Sequence, residues 1–182
     1  MPATSLVYPF TFGDRSMADL LGGKGANLSE MTRMGLPVPP GFTITTQACR
    51  EFLKDGVIPA SLTGEIETAL LELEKLLGKK FGDPKNPLLV SVRSGAKFSM
   101  PGMMETVLNV GMTPEVAQSL ADTTGDAEFA WDSYRRFIDM FGRIVCDIPP
   151  ADFKKIEARI LESHSVNSIH CLLYTSPSPR DS

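Results

Sequence analysis

The stretch from Leu88 to Gly111 constrains this chain more than any other. It opens on Leu88-Leu89-Val90-Ser91-Val92, an apolar, β-branched run that predicts a buried strand. Arg93 follows at once, then a loop of small residues, glycine, methionine and one proline. A second strand, Thr106 to Val110, brings the chain back and Gly111 closes it. An arginine directly after an apolar strand must leave the sheet or find an anion, because an unpaired buried guanidinium is costly. A salt bridge to Asp83 or Glu105 would satisfy it. A ligand phosphate is the alternative, favoured by the adjoining loop with its free backbone N–H groups.

A second cation sits in a comparable setting. Leu20-Leu21-Gly22-Gly23-Lys24-Gly25-Ala26-Asn27-Leu28 reads as a glycine-rich turn opening a short helix over Ser29 to Met34. Gly35 is placed to cap that helix, and Pro37, Pro39 and Pro40 prevent its continuation. The turn is not a Walker A loop, since Ala18 stands where the first glycine would fall and Gly25 replaces the Ser/Thr after the lysine. Nor does it fit the dinucleotide pattern. Two readings stay open: an exposed lysine on a plain glycine turn, or a lysine held near a helix N-terminus, where anions are favoured.

Local signals order the remainder. Val7 to Phe12 reads as an edge strand and Phe42–Thr45 as a short strand, with Thr46 as N-cap of a helix ended by Asp55-Gly56. Leu62 to Leu77 predicts a helix with Ile66, Leu70, Leu73 and Leu77 on one face, and Glu65, Glu67, Glu72 and Glu74 on a solvated one. Gly78 ends it. After Gly111 the pattern is helical. Thr113-Pro114 starts a helix to about Ala121, and Asp126 caps a second over Ala127 to Phe141, with Ala130, Tyr134, Phe137, Ile138 and Phe141 as its apolar stripe. A third begins near Asp152 with Phe153, Ile156 and Ile160 inward, and Arg135-Arg136 reads as a solvated basic edge. The fold expected is α/β (α+β). An α/β subdomain spans residues 1–111, a helical subdomain 112–166, and 167–182 form a tail without periodicity that reads as non-native sequence.

Composition excludes several functions. A formal net charge of −4 argues against binding dominated by nucleic-acid phosphates. No apolar run approaches the roughly 20 residues of a membrane-spanning helix. Cys49, Cys146 and Cys171 are odd in number and far apart, with no metal-ligand spacing, so reduced structural thiols in the cytoplasm are expected and no metal site is assigned. Met100, Met103 and Met104 read as core filler, or as the lining of an apolar pocket or lid.

Taken together, several segments are specific. Leu21 to Leu28, Pro37-Val38-Pro39-Pro40-Gly41-Phe42, Gly78-Lys79-Lys80-Phe81-Gly82 and Ser91-Val92-Arg93-Ser94-Gly95 occur in one order. With Met100-Pro101-Gly102-Met103-Met104-Glu105-Thr106-Val107-Leu108-Asn109 and Asp132-Ser133-Tyr134-Arg135-Arg136-Phe137, they closely resemble the N-terminal region of the pyruvate, phosphate dikinase family, from about Val7 to Leu161. The phosphoenolpyruvate synthase family shares the Gly-Gly-Lys and Val-Arg-Ser elements but lacks Ser-Met-Pro-Gly-Met-Met, so it is the second choice. A stand-alone nucleotide-binding module is the third.

The resemblance implies an ATP-grasp-like nucleotide-binding domain. Its parent enzyme would convert ATP, phosphate and pyruvate to AMP, pyrophosphate and phosphoenolpyruvate, through a phosphohistidine and with Mg²⁺, as a homo-oligomer. Lys24 and Arg93 match the family's catalytic, ATP-phosphate-binding cations, and Gly102, Met103 and Met104 its loop over the phosphates. The family's acidic Mg²⁺ ligands, phosphohistidine domain and pyruvate-binding barrel lie beyond this sequence. The chain is therefore expected to be an N-terminal fragment, ending in authentic sequence between Ser163 and His170, without dikinase activity of its own.

Overall fold

The computed structural model describes residues 5–95 and 106–166. Their order is β1 (Val7–Pro9), a 3-10 turn (Arg15–Met17), α1 (Ala18–Arg33), β2 (Phe42–Ile44), α2 (Thr46–Asp55), α3 (Leu62–Leu77), β3 (Lys80–Phe81), β4 (Pro87–Leu88), β5 (Val90–Arg93), β6 (Thr106–Val110), α4 (Pro114–Thr124), α5 (Ala127–Ile144) and α6 (Pro150–Ser163). This is a mixed α/β chain with small two-stranded sheets, β1-β2, β3-β4 and β5-β6. The described residues form two compact units, 5–78 with 94–95, and 79–93 with 106–166. The boundary expected at Gly111–Met112 lies inside the second, where β6 packs on α5.

In the first unit β1 and β2 pair antiparallel, Tyr8 opposite Thr43. Leu6, Val7, Ala48 and Leu62 make its core, with Phe42, Ile66 and Ala69 against them. The helix ends follow local chemistry. At the end of α1 the Gly35 N–H reaches the Thr32 carbonyl and the Leu36 N–H that of Met31, at 3.0 and 3.1 Å. That pair of bonds is a Schellman closure, after which Pro37 ends any continuation. The α2 cap is Thr45, not Thr46: the buried Thr45 hydroxyl accepts from the Ala48 N–H, while Thr46 is the first helical residue. The apolar face of α3 is only partly covered. Leu73 is buried and Ile66 joins the core, whereas Leu77 is exposed.

Glu65 does not belong to a solvated face. Its Oε2 accepts from Ser5 Oγ at 2.6 Å and from the N–H groups of Leu6 and Val7 at 2.7 and 3.1 Å. Its Oε1 accepts from Ser61 Oγ at 3.0 Å. The Ser5 hydroxyl, then the Leu6, Ser61 and Val7 donors, hold the carboxyl below its ordinary value of 4.5, against a smaller opposing effect of burial. A lowered folded-state pKa contributes stability that is full above the unfolded value and is lost as pH falls through the folded one. Glu65→Gln should therefore lower the melting temperature at pH 7, and the gap from wild type should close as the pH drops below 4.5. A gap constant between pH 7 and pH 3 would show that charge plays no part in this anchor.

In the second unit β5 and β6 pair antiparallel, with Val90 opposite Val110 and Val92 opposite Val107. Two steps along β5 thus face three along β6, and the extra residue forms a bulge with Asn109 at φ 59°. Asparagine tolerates this left-handed conformation better than most residues. The predicted buried strand Leu88–Val92 is interrupted at Leu89. Leu88 is buried but Val92 is 54% exposed, and Ser91 and Arg93 beside it are exposed too, so at this end of β5 neither set of alternating side chains is buried.

Val116 and Ala117 of α4 pack with Met112, Leu89, Leu120, Trp131, Tyr134 and Phe137. The predicted start signals hold: Thr113 accepts from the Val116 N–H, with Pro114 at the first helical position, and Asp126 accepts from the Phe129 N–H. The stripe of α5 is narrower than expected. Ala130 is buried and Tyr134 and Phe137 pack, but Ile138 and Phe141 are exposed. On α6, the Phe153 ring lies against Gly142 of α5, whereas Ile156 is 48% exposed and Ile160 is exposed too. Ile156 and Ile160 are thus left largely uncovered among the described residues.

Candidate functional site

Gly22 divides α1. Its backbone stands at φ 70° and ψ 164°, a region that residues with a Cβ essentially never occupy. The helix therefore restarts just after it, and Lys24 falls in the first turn of the new segment, whose leading N–H groups have no helical acceptor. The half-buried Lys24 side chain reaches the Ser94 carbonyl, with Nζ donating at 3.2 Å.

Gly25 has a different reason for being glycine. A Cβ there would come within 2.8 Å of Thr43 Cγ2 and 2.9 Å of Thr43 Oγ1 on β2. Gly22, Gly25, Ala26 and Ser29, spaced for one helix face, are all buried, Ala26 to 1% and Ser29 to 2% exposure. The glycine cluster thus combines a conformational demand at Gly22 with close packing at Gly25. Thr43 was not singled out in the sequence. The repeat of small residues at helical spacing was the signal available, and it points to a close-packed face.

Arg93 ends β5 opposite Thr106, with an exposed side chain. Of the two carboxylates considered for it, Asp83 instead accepts from the Lys85 N–H at 2.8 Å and stabilises its own turn. Glu105 lies outside the described residues, as do Gly102, Met103 and Met104. Lys24 belongs to the first unit and Arg93 to the second.

The basic pair on α5 is not simply solvated. Asp132, 8% exposed, accepts from Arg135 at 2.8 and 3.0 Å through Oδ1, and pairs with Arg136 at 2.6 Å through Oδ2. Arg135 also bonds Glu157 of α6 at 3.0 Å. Burial opposes its charge, but the two carboxylates outweigh that and raise its pKa. Arg135 thus joins two helices, leaving only Arg136 on the solvated edge. Cys49 and Cys146 are free and exposed, so neither fills the core. No helix among the described residues is long and apolar enough to cross a membrane.

Residues 18–63 and 53–130 match the family described as pyruvate phosphate dikinase, AMP/ATP-binding domain, and the chain belongs to that family. Among individual proteins it is similar to the pyruvate, phosphate dikinase of Clostridium symbiosum, 50% identical over 162 residues, covering 88% of this chain and 18% of that protein. Pyruvate, phosphate dikinase 1, chloroplastic, of Oryza sativa subsp. japonica is 57% identical over 148 residues, 80% of this chain and 16% of the relative. That of Rhizobium meliloti (strain 1021) is 50% identical over 145 residues, 79% and 16%. The chain thus spans less than a fifth of the length of these relatives. All three carry the dikinase name, which disfavours the synthase alternative.

Proposed function

We propose that this chain is the N-terminal part of an ATP-grasp-like nucleotide-binding domain in a pyruvate, phosphate dikinase, and that Lys24 and Arg93 bind the phosphates of ATP. The parent would carry ATP, phosphate and pyruvate to AMP, pyrophosphate and phosphoenolpyruvate through a phosphohistidine. The observation that carries the reading is the position of Lys24 in the first turn after the Gly22 break, within the region of the family match. A cation is out of place at the positive end of a helix unless an anion joins it. A polyphosphate would be that anion, received by the leading N–H groups and the ammonium together. Arg93, exposed at a strand end, offers a planar fork to the same kind of ligand. Such groups act by position and charge, neutralising phosphoryl oxygens as the bond to the leaving group lengthens.

Gly102, Met103 and Met104 complete this reading as a loop over the phosphates. The parent would use Mg²⁺; among the described residues no three His, Cys, Asp or Glu side chains converge to hold it. The parent would be a homo-oligomer. Its compartment would be the cytoplasm, or an organelle as in relatives named chloroplastic.

The test uses the full-length enzyme carrying this sequence. Lys24→Ala and Arg93→Ala should each impair ATP-dependent phosphorylation of the histidine, while pyruvate–phosphoenolpyruvate exchange survives. Equal loss of both half-reactions would remove the assignment to nucleotide phosphate. The 182-residue chain alone should form no AMP in a pyruvate-dependent assay, and measurable turnover would refute the fragment reading.

A further inference from the structure

We infer that Thr43 is a positioning residue for Lys24, acting through the missing side chain of Gly25. The inference rests on the proposed role of Lys24 at the nucleotide phosphates. The restarted segment of α1 is held to β2 by small residues, and Gly25 is the tightest point of that face. A methyl group added there would meet both branches of the Thr43 side chain, at 2.8 and 2.9 Å, with the Leu21 Cβ at 3.3 Å. Real Cβ atoms do not approach so closely, so the helix or the strand would have to move.

Thr43 has little room to yield. It lies in the central pair of the β1–β2 ladder, opposite Tyr8. The strand on its far side is fastened by the Glu65 carboxylate through Leu6 and Val7. Two residues after Thr43, the buried Thr45 caps α2. The helix is the freer partner, because Gly22 already interrupts it. A displacement would therefore fall on the turn that carries Lys24, the residue next to Gly25.

The sign of the expected effect separates this from helix propensity. Alanine is the better helix former, so Gly25→Ala on an uncrowded helix would be neutral or stabilising. Against Thr43 it should shift Lys24. A displacement of about 1 Å at a group that positions a reacting phosphate can reduce the rate on the order of 100-fold.

The experiment is a size exchange in the full-length enzyme, reading kcat and KM for ATP in histidine phosphorylation, with pyruvate–phosphoenolpyruvate exchange as the internal control. Gly25→Ala should lower kcat/KM for ATP by roughly 10- to 100-fold and leave exchange unchanged. Adding Thr43→Ala, which removes both crowding atoms, should restore kcat/KM to within about threefold of wild type. Unchanged ATP kinetics in Gly25→Ala, or no rescue by Thr43→Ala, would overturn the positioning role provided Lys24→Ala is impaired. If Lys24→Ala itself leaves the ATP reaction intact, the phosphate reading falls and this inference with it. The rescue arm also answers a folding defect. Loss of exchange in Gly25→Ala that Thr43→Ala does not repair counts against the proposal.

Discussion

Lys24→Ala in the full-length enzyme is expected to slow ATP-dependent histidine phosphorylation by on the order of 10²- to 10³-fold, the usual cost of removing one preorganised charge-stabilising donor. The fold should hardly notice. A cation in the first turn of a helix is unfavourable by about 0.3–1 kcal/mol. Its loss offsets the hydrogen bond to the Ser94 carbonyl, worth about 0.5–1.5 kcal/mol. Unfolding free energy should therefore change by less than about 1 kcal/mol while the ATP half-reaction collapses. Arg93→Lys provides a graded companion. It keeps the charge but not the two-pronged geometry, so it should fall between wild type and Arg93→Ala. A Lys24→Ala enzyme with intact ATP chemistry and reduced stability would mean that the lysine is there for its bond to Ser94 alone.

Gly111→Ala is expected to destabilise the chain by about 3 kcal/mol or more. Two costs add. The backbone at φ 105° lies outside the conformations open to alanine, which costs about 1–2 kcal/mol. The new methyl group would also stand 2.8 Å from the Leu88 carbonyl oxygen and 2.8 Å from Phe81 Cε2. Overpacking of this kind costs about 1–3 kcal/mol, and the carbonyl cannot rotate away as a side chain would. Gly125→Ala is the control. It shares a positive φ of 70°, at the end of α4, but a Cβ there meets nothing within 4 Å. It should cost only the conformational part, about 1 kcal/mol. Urea unfolding of the two variants measures the difference. Equal losses would show that Gly111 is required for its backbone angle and not for the close approach to β4.

Much of the local structure was legible in the residues. The bounds of α3, the Thr113-Pro114 start of α4, the Asp126 cap of α5 and the strand Thr106–Val110 all came from neighbours within a few positions. Such signals are readable because a cap or a left-handed glycine acts on its own turn. Burial was less legible. Val92, Ile138 and Ile156 have the spacing of core residues and are exposed, since periodicity shows which residues share a face but not what covers it. Of the candidate site, the sequence supplied both cations and their glycine-rich settings. It did not supply the anchor between Glu65 and Ser5, which stand 60 positions apart.

The sequence alone determined where α3 begins and ends, where α4 and α5 begin, and which family the motifs resemble. Each rests on chemistry within one turn, or on order along the chain. Tertiary structure alone decided why Gly25 must lack a side chain, that Glu65 ties down the first strand, and that Arg135 and Glu157 join α5 to α6. Those facts depend on atoms brought within about 3 Å by chain segments distant in sequence, a distance at which hydrogen bonds and steric exclusion act and which local pattern does not encode.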